Sequence, residues 1–450
     1  FCDLGFTQGE WCPCLFHHAE RDLVAWVHGD DKIIVGEQAD LEWFQEELSK
    51  VILLKRRALL GPDEKDDKQV TLLNRIITYV PGNYSTPDKV TYEVDPRHVE
   101  IAVSQLGLDK DNSKAVSTPG VKTDQEDDRL IEGSEARKFR SICMRFGFLA
   151  QECAHIRFTS KEAARLMSSP TVGGMQRLKR LGRFVKGYGR VVQEFVMQEA
   201  VSKLKVKTDS DFAGCQRTRA TTSSNYLFHG RHLLRSSSTT QKTLVLSTGE
   251  GEFASFVKGC SVGLGAVGML KDCGIAVSLE VETDSSAAKG IASRRGVGRI
   301  RHLHTGLLWV QQRVQRGEIQ VNKIRGDSNV ADLGTKYLAA PKMNEYMLEC
   351  GFTHLSGQSK LALKAQLGSI RGPRSAEFAA ESEAATVAIL AQSVESEGAS
   401  RARTQEREKT SLRQEERVES SLRRSQLSTD VAQIREEEAA KTSLRRLRAI

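Results

Sequence analysis

The sequence predicts a mixed α+β or α/β protein whose best-defined part is a mixed five-stranded sheet flanked by helices. Two observations predict this class. From Leu204 to about residue 338, three hairpin-like strands precede a long helix, after which strands alternate with helices. That order favours antiparallel and parallel strands in one sheet, covered by the intervening helices. The length of 450 residues also allows two or three domains, each with its own core.

A β-hairpin is predicted near the start of the chain, in the stretch AWVHGDDKIIVG from Ala25 to Gly36. Glycine and aspartate tolerate the backbone angles of a tight turn between two apolar runs. The adjacent carboxylates of Asp30 and Asp31 have two interpretations, a simple polar turn or a pair of ligands for a divalent metal. The next stretch, ADLEWFQEELSKVILL, has apolar residues at three- and four-residue steps, which predicts an amphipathic helix.

Short strands and then helices are predicted between residues 62 and 190. The stretches VTLLNRIITYV and KVTYEV alternate with turns rich in proline, glycine and asparagine, which indicates strands. Helices follow around residues 98–106 and 135–149. The next helix, GGMQRLKRLGRFVKG, carries five cations: Arg177, Lys179, Arg180, Arg183 and Lys186. Its apolar residues lie on the opposite face, so the cations either form a solvated face or follow a phosphate backbone.

The sheet-forming region then consists of an ordered series of elements. The predicted strands are LKVKTDSD, NYLFHG, HLLRSSS, AVSLEVET and EIQVNKIR. The predicted helices are TGEGEFASFVKGCSVGLGAVGML, SSAAKGIASRR, TGLLWVQQRVQR and the start of NVADLGTKYL. Beyond about residue 356 the composition changes to Ala, Glu, Arg, Ser and Gln, which predicts a polar helical or disordered tail without chemistry of its own.

Composition and charge exclude several classes of protein. No run of eighteen apolar residues occurs, so we expect no membrane span and no membrane partner. The nine cysteines are scattered, which argues against a disulfide framework and for a reducing compartment. The first residues lack a secretory signal pattern and an initiating Met, so we expect a fragment that is not secreted. The net charge of +8 is compatible with a polyanionic partner.

Four carboxylates lie where predicted strands end or helices begin. They are Asp209, Glu252, Asp284 and Asp332. Such positions lie around the rim of a sheet, so acids far apart in sequence can converge there. Their mutual repulsion would be relieved by Mg²⁺, which prefers oxygen ligands, and two such ions can hold the attacking and leaving oxygens of a phosphodiester. We therefore expect metal-assisted phosphodiester hydrolysis. Taken singly, each acid has the alternative of a surface or capping residue.

Five stretches of this region carry a family resemblance. They are, in order, TDSDFAGCQRTRATTSSNYLFHG, TLVLSTGEGEFAS, VETDSSAAKGIA, RIRHLHTGLLWVQQRV and GEIQVNKIRGDSNVADLGTKYL. They resemble the ribonuclease H domain of copia-type LTR retrotransposon Pol polyproteins. The resemblance implies an endonuclease that hydrolyses the RNA strand of RNA–DNA hybrids with two Mg²⁺ ions, Mn²⁺ being the alternative ion.

The same resemblance assigns roles to individual residues. The Asp-Glu-Asp-Asp set of the family falls on the four acids, which would be both catalytic residues and metal ligands: Asp209, Glu252, Asp284 and Asp332. Asp211 would face the same side of its strand as Asp209 and competes for the ligand role, whereas Glu250 is expected to point elsewhere on its helix. His302 matches a family histidine and would contact nucleic acid; its alternative is a helix-start histidine with a local hydrogen bond.

Five earlier stretches extend the resemblance upstream. They are GFTQGEWCPCLF, WVHGDDKIIVG, VSTPG, FRSICMRFGFLAQ and LMSSPTVGGMQRLKRLGRFVKG. They resemble the C-terminal part of the reverse transcriptase of the same polyproteins. Asp30 and Asp31 would then be the metal-binding pair of its Tyr-X-Asp-Asp turn, and the basic helix would contact the template–primer backbone. The third polymerase carboxylate has no match, so we expect no polymerase activity from this fragment.

The predicted organisation has four parts. Residues 1–120 form a reverse transcriptase palm and thumb remnant, 121–200 a helical connecting region, 201–340 a ribonuclease H-like domain, and 341–450 a low-complexity charged tail. We expect a truncated Pol product in a cytoplasmic retroelement particle or the nucleus, with an RNA–DNA hybrid and the rest of the polyprotein as partners. The alternative is a decayed or domesticated fragment that binds nucleic acid without catalysis.

Overall fold

Three sheets organise the part of the chain that the computed structural model describes, which is residues 1–109, 113–123 and 127–357. The tail predicted beyond residue 356 lies almost entirely outside the described residues.

The first sheet contains the predicted hairpin. Its antiparallel strands, in the spatial order β1-β2-β3-β4, and the helix that follows are β1 (Thr7–Gln8), β2 (Leu15–His18), β3 (Leu23–His28), β4 (Asp31–Val35) and α1 (Gln38–Ser49). His28 pairs with Asp31, so Gly29 and Asp30 form a two-residue loop. Gly29 has φ of +58°, a left-handed backbone that favours glycine. The hairpin and the amphipathic helix are therefore confirmed, and α1 buries Phe44 and Leu48 against the sheet.

The second sheet and a group of helices occupy the middle of the chain. In order, these elements are β5 (Gln69–Leu72), β6 (Arg75–Val80), β7 (Lys89–Val94), α2 (Arg97–Gln105), α3 (Gly133–Glu152), α4 (Ala154–Ala164), α5 (Val172–Tyr188) and β8 (Arg190–Val196). The predicted helices and the strand β7 are observed, whereas VTLLNRIITYV forms two strands, β5 and β6, because Leu73 and Asn74 have positive φ and make a turn. Helix α4 and strand β8 were not predicted. Buried side chains of α3, α4 and α5 form one core, which includes Phe139, Phe146, Ile156 and Leu178. Thr171 caps α5, its hydroxyl accepting the Gly174 N–H at 3.0 Å.

The third sheet is mixed and has five strands. Its elements are β9 (Lys203–Asp211), β10 (Thr222–His229), β11 (His232–Thr240), α6 (Thr248–Asp272), β12 (Ser278–Thr283), α7 (Ser286–Ala292), α8 (Trp309–Gln315) and β13 (Ile319–Lys323). The spatial order is β11-β10-β9-β12-β13, antiparallel from β11 to β9 and parallel from β9 to β13. Helices connect the parallel strands, as such crossovers require. The mixed five-stranded sheet with flanking helices is therefore confirmed.

Helix α6 packs unusually closely on the third sheet. A Cβ atom at Gly259 would lie 2.5 Å from Thr208 Cγ2, and one at Gly263 would lie 2.5 Å from Leu279 Cδ1. Glycine at these two positions lets the helix backbone approach β9 and β12. The buried faces of α6 and the sheet share a core that includes Phe253. This close approach fixes the distance between the helix and the strand ends that carry the predicted acids.

Of the described helices, α6 alone is long and apolar enough to cross a membrane, judged by length and composition. In this fold α6 is the central helix covering the third sheet, and Phe253, Phe256 and Cys260 on it are buried. A core helix of a soluble protein passes the same test, so this signal assigns no membrane role.

The described fold continues past residue 340, where the tail is predicted to start. Helix α9 (Ala340–Glu349) is followed by β14 (Phe352–Leu355), which pairs antiparallel with β8. The second sheet therefore has the order β14-β8-β7-β6-β5. Tyr346, Met347 and Phe352 are buried in the core of the middle helices. This segment returns to the second sheet after the third sheet is complete.

Candidate metal centre

Two of the predicted acids lie at the same edge of the third sheet. Strands β9 and β12 are adjacent and parallel, and Thr208 pairs with Thr283. The next residue in each strand direction is an aspartate, Asp209 on β9 and Asp284 directly after β12. Because the carboxyl ends of parallel strands meet at one edge, this register places the two side chains together.

Helix α6 brings the third acid to this edge. Its start is fixed by Ser247, whose side chain accepts the N–H of Glu250 at 3.2 Å. One turn after Glu252, the Ser255 hydroxyl donates to the backbone oxygen of Asp209 at 2.7 Å. This hydrogen bond ties the helix to the end of the strand that carries Asp209.

Asp209, Glu252 and Asp284 converge into one group. Ligand oxygens from these three carboxylates lie within 4.8 Å of one another, and no other such group of three occurs among the described residues. Asp209 and Glu252 are buried. Carboxylate oxygens are the ligands that Mg²⁺ prefers, so this set fits a hard divalent ion. Atom Oε2 of Glu252 is buried and has no hydrogen-bond partner, which supports the same fit because buried polar atoms are normally satisfied.

The electrostatics of the three acids indicate a site that needs a cation. Burial, together with the charges of Asp209 and Asp284, raises the pKa of Glu252 to about 8. Burial also raises the pKa of Asp209 to about 7, although the nearby Lys336 opposes the rise. Carboxyl groups with raised pKa values lose charge near neutral pH unless a positive charge joins them. A bound divalent ion would supply that charge.

The fourth predicted acid, Asp332, is adjacent to this group but has a different partner. It lies in a 3-10 helix, Val330–Gly334, which is anchored where Asn329 donates to the backbone oxygen of Thr208 at 3.0 Å. Lys336 Nζ lies 2.6 Å from Asp332 Oδ1 and 3.6 Å from Asp209 Oδ2. The Thr335 hydroxyl donates to the same Asp209 oxygen, Oδ2. An ammonium group therefore joins Asp332 to Asp209.

Two acids next to the centre do not enter it. Asp211 accepts a hydrogen bond from the backbone N–H of Thr222 and lies outside the group of three. Burial raises its pKa to about 6. Glu250 accepts the N–H of Leu246 at 2.8 Å, so it caps the helix as expected for a residue that points elsewhere.

His302 lies at the start of α6 beside Glu250. Its Nε2 atom is 3.5 Å from Glu250 Oε2 and 3.5 Å from Ser247 Oγ. The imidazole is partly exposed. This position matches a local contact at the helix start, and its role toward nucleic acid stays a prediction.

The aspartates of the hairpin are not part of a comparable cluster in the described residues. Asp30 is exposed in the two-residue loop, and Asp31 Oδ1 lies 3.5 Å from Arg57. The predicted ligand pair therefore lacks a third carboxylate within the part of the chain that the structure covers.

The predicted basic helix uses some of its cations internally. Arg180 donates to the Thr118 hydroxyl at 2.8 Å, and Lys186 donates to the backbone oxygen of Leu108 at 2.8 Å. These contacts hold the segment before α3 against α5. Lys179 is exposed, whereas Arg177 and Arg183 are half-buried. Only part of the predicted nucleic-acid surface is therefore open to solvent.

Two residues that touch the centre, Thr335 and Lys336, were not predicted from the sequence. The available signal is spacing, because Lys336 follows Asp332 by four residues and such pairs meet on a helical turn. Local spacing does not reveal the second contact, from Lys336 to Asp209, which depends on the tertiary fold.

Comparison with known proteins gives a distant set of matches. No protein-family model matches the sequence. The chain is 23% identical to the "Retrovirus-related Pol polyprotein from transposon RE1" of Arabidopsis thaliana over 228 residues, which cover 49% of this chain. The chain spans only 15% of that relative.

Two solved structures are also similar. A foamy viral protease-reverse transcriptase in complex with an RNA/DNA hybrid matches with a TM-score of 0.38 and 13% identity, over 67% of this chain and 36% of the other. An N-terminal RNase H domain from Mycobacterium tuberculosis matches with a TM-score of 0.21 and 15% identity, over 29% of this chain and 92% of the other.

Proposed function

We propose that this chain, a distant homologue of the copia-type Pol polyprotein of transposon RE1, hydrolyses the RNA strand of RNA–DNA hybrids in a divalent-metal-dependent reaction. The observation that carries the proposal is the convergence of Asp209, Glu252 and Asp284 at one edge of the mixed sheet, with ligand oxygens within 4.8 Å of one another. The expected family set falls on these three acids together with the adjacent Asp332. The distant homology supports a retroelement origin, and the centre supports the chemistry.

The residues that would hold the metal differ in their surroundings. Asp209 lies in the middle, since its carboxylate faces the other two acids and also accepts the Thr335 hydroxyl. Glu252 offers the unpartnered atom Oε2. Asp284 is half-buried at the strand end, so this side of the centre is open toward solvent. Divalent ions bound here would activate water and stabilise the charge that develops on a phosphodiester.

The chain's own residues would position the substrate. The polar rim around the centre includes the Ser210 hydroxyl, which is buried beside Asp209 and Glu252. A ribose 2′-hydroxyl is the group that distinguishes an RNA strand from DNA, and it needs polar partners close to the scissile phosphate. The exposed Lys179 on α5 is proposed as a backbone contact, because lysine and arginine contacts to phosphates supply most non-specific affinity.

The test uses a labelled RNA–DNA hybrid, Mg²⁺ or Mn²⁺, and the full chain. Wild type is expected to cleave the RNA strand, with cleavage abolished by EDTA and lowered at least about a hundredfold in Asp209→Asn and Asp284→Asn. Asp327→Asn is the matched control, since Asp327 is an exposed aspartate paired with Arg325. Retained cleavage in both centre variants would refute the assignment.

The hairpin is proposed to carry no polymerase activity in this chain, because Asp30 and Asp31 lack a third acid among the described residues. The alternative function is nucleic-acid binding without catalysis by a decayed or domesticated fragment. Hybrid binding by wild type without any cleavage would favour it. We place the protein in the cytoplasm or nucleus as part of the same proposal, with the rest of the polyprotein as a partner.

A further inference from the structure

The metal centre has two unequal halves that share Asp209. On one side, Asp209 meets Glu252 and Asp284, and the ligand oxygens of these three lie within 4.8 Å of one another. On the other side, Asp209 meets Asp332, and here the ammonium group of Lys336 already lies between the two carboxylates. Among the described residues, Lys336 is the cation that forms ion pairs with Asp209 and Asp332.

The position of Lys336 is built by its neighbours. Its Nζ atom donates to Asp332 Oδ1 at 2.6 Å, the distance of a charge-assisted hydrogen bond, and lies 3.6 Å from Asp209 Oδ2. The preceding residue, Thr335, donates to Asp209 through its hydroxyl. Residues 335 and 336 are thus both directed at the same pair of acids, and the turn that carries them is anchored on β9 by Asn329.

A lysine ammonium is a compact point charge with three donors. Between two carboxylates it does what a metal cation would do there, because it cancels their repulsion and satisfies their oxygens. The side chain of Lys336 is 45% exposed, while those of Asp209 and Asp332 are 3% and 12% exposed. The Lys336 side chain is therefore much more open to solvent than either acid.

We infer that Lys336 is a resident cation in the position of the second metal ion, so that a second divalent ion binds only when the Lys336 side chain leaves Asp332 and Asp209. This inference rests on the proposed function, since it concerns the same centre. The first ion binds to Asp209, Glu252 and Asp284 with Lys336 in place. The second ion binds only after Lys336 is displaced. Lys336 therefore weakens the binding of the second ion relative to that of the first.

The experiment measures Mn²⁺ and Mg²⁺ binding to the full chain by isothermal titration calorimetry at constant pH. Wild type is expected to bind one ion well and a second weakly. Lys336→Met keeps the apolar stem and removes the charge, so its second ion should bind about tenfold tighter or more, which corresponds to about 1.4 kcal/mol per factor of ten. Lys336→Arg keeps the charge and should titrate like wild type.

A second readout does not depend on activity. In EDTA, Lys336→Met leaves four acids uncompensated, so its melting temperature should be below that of wild type, and the rise on adding Mg²⁺ should exceed the rise in wild type. Lys336→Gln retains a hydrogen-bond donor without charge and serves the same tests if the Met variant does not fold. Lys342→Met is the matched control, because Lys342 pairs with the exposed Glu345 at 2.8 Å.

The outcomes separate this inference from the nuclease proposal. Identical metal titrations for wild type and the two neutral variants would overturn the role of Lys336, whatever the cleavage assay shows. A tighter second ion in the neutral variants would support it. If that change occurs and no variant cleaves the hybrid, the nuclease proposal fails and the cation position of Lys336 stands.

Discussion

Replacement of Glu252 by Gln should make the metal-free protein more stable at alkaline pH. Glu252 is buried, and its Oε2 atom has no hydrogen-bond partner. Burial, together with the charges of Asp209 and Asp284, raises its pKa from 4.5 to about 8. The folded protein therefore binds this proton more tightly than the unfolded chain does, and ionisation of Glu252 opposes folding.

The sign and the size follow from proton linkage. Between pH 4.5 and about 8, the folded state of wild type holds a proton that the unfolded state releases, so the free energy of unfolding falls as pH rises through this window. Each tenfold change in proton affinity corresponds to about 1.4 kcal/mol, which gives a total loss on the order of 5 kcal/mol. Glutamine carries no charge and escapes this loss.

The assay is urea unfolding of both proteins in EDTA at a series of pH values from about pH 5 to about pH 9. Near the acid end the two free energies of unfolding should be similar, since both side chains are neutral and Gln also leaves a polar atom unpartnered. Toward pH 9 the variant should become more stable by several kcal/mol, on the order of the loss above. Added Mg²⁺ should reverse the order, because the ion binds the ionised wild-type centre.

Parallel pH profiles for wild type and Glu252→Gln would refute the reasoning, since they would mean that Glu252 ionises as easily in the folded protein as in the unfolded chain. Glu345→Gln is the control. Its side chain is 62% exposed, so the exchange removes no buried charge and its profile should follow that of wild type.

Two further predictions concern packing and a buried ion pair. Gly259→Ala should lower the free energy of unfolding by about 1–3 kcal/mol, because the new Cβ would meet Thr208 Cγ2 at 2.5 Å. Gly265→Ala, on the same helix with open space around it, should raise it by about 0.5–1 kcal/mol; equal urea midpoints for the two would contradict the close packing of α6. Arg190→Met should lower it by about 3 kcal/mol, because Arg190 donates to both oxygens of Glu93 at 2.8 and 2.7 Å. An unchanged urea midpoint for this variant would show that the pair contributes nothing.

Elements that depend on local chemistry could be predicted from the sequence. The Gly29–Asp30 loop needs one residue with positive φ between two apolar runs, and both features are visible in twelve residues. The strands and helices of the third sheet could be predicted for the same reason, since the hydrophobic periodicity and the terminating residues of each element are visible in the sequence. The convergence of Asp209 with Asp284 could also be expected, because both residues lie at the carboxyl ends of strands that are parallel neighbours in the sheet.

Elements that depend on distant partners could not be predicted. Strand β14 pairs with β8, where Phe352 faces Gln193, and no local pattern reports such a pairing. Helix α9, which follows the third sheet in the sequence, packs in the same core as α2, which precedes that sheet. Lys336 shows the same limit at the centre. Its four-residue spacing from Asp332 is visible in the sequence, whereas its contact with Asp209 exists only after folding.

The first sheet, whose hairpin carries Asp30 and Asp31, and the metal centre lie at opposite ends of α6. Asp272, at the last position of the helix, accepts the backbone N–H groups of Glu10, Trp11 and Cys12 at 3.1, 2.9 and 2.8 Å, which anchors the first sheet there. Glu252 lies twenty positions earlier, about 30 Å along the helix axis at 1.5 Å per residue. A carboxylate at a helix C-terminus is opposed by the helix dipole, so the three N–H donors are what make this anchor favourable. Because charges separated by several Debye lengths are screened, the anchor can fix the first sheet without altering the charge of the metal centre.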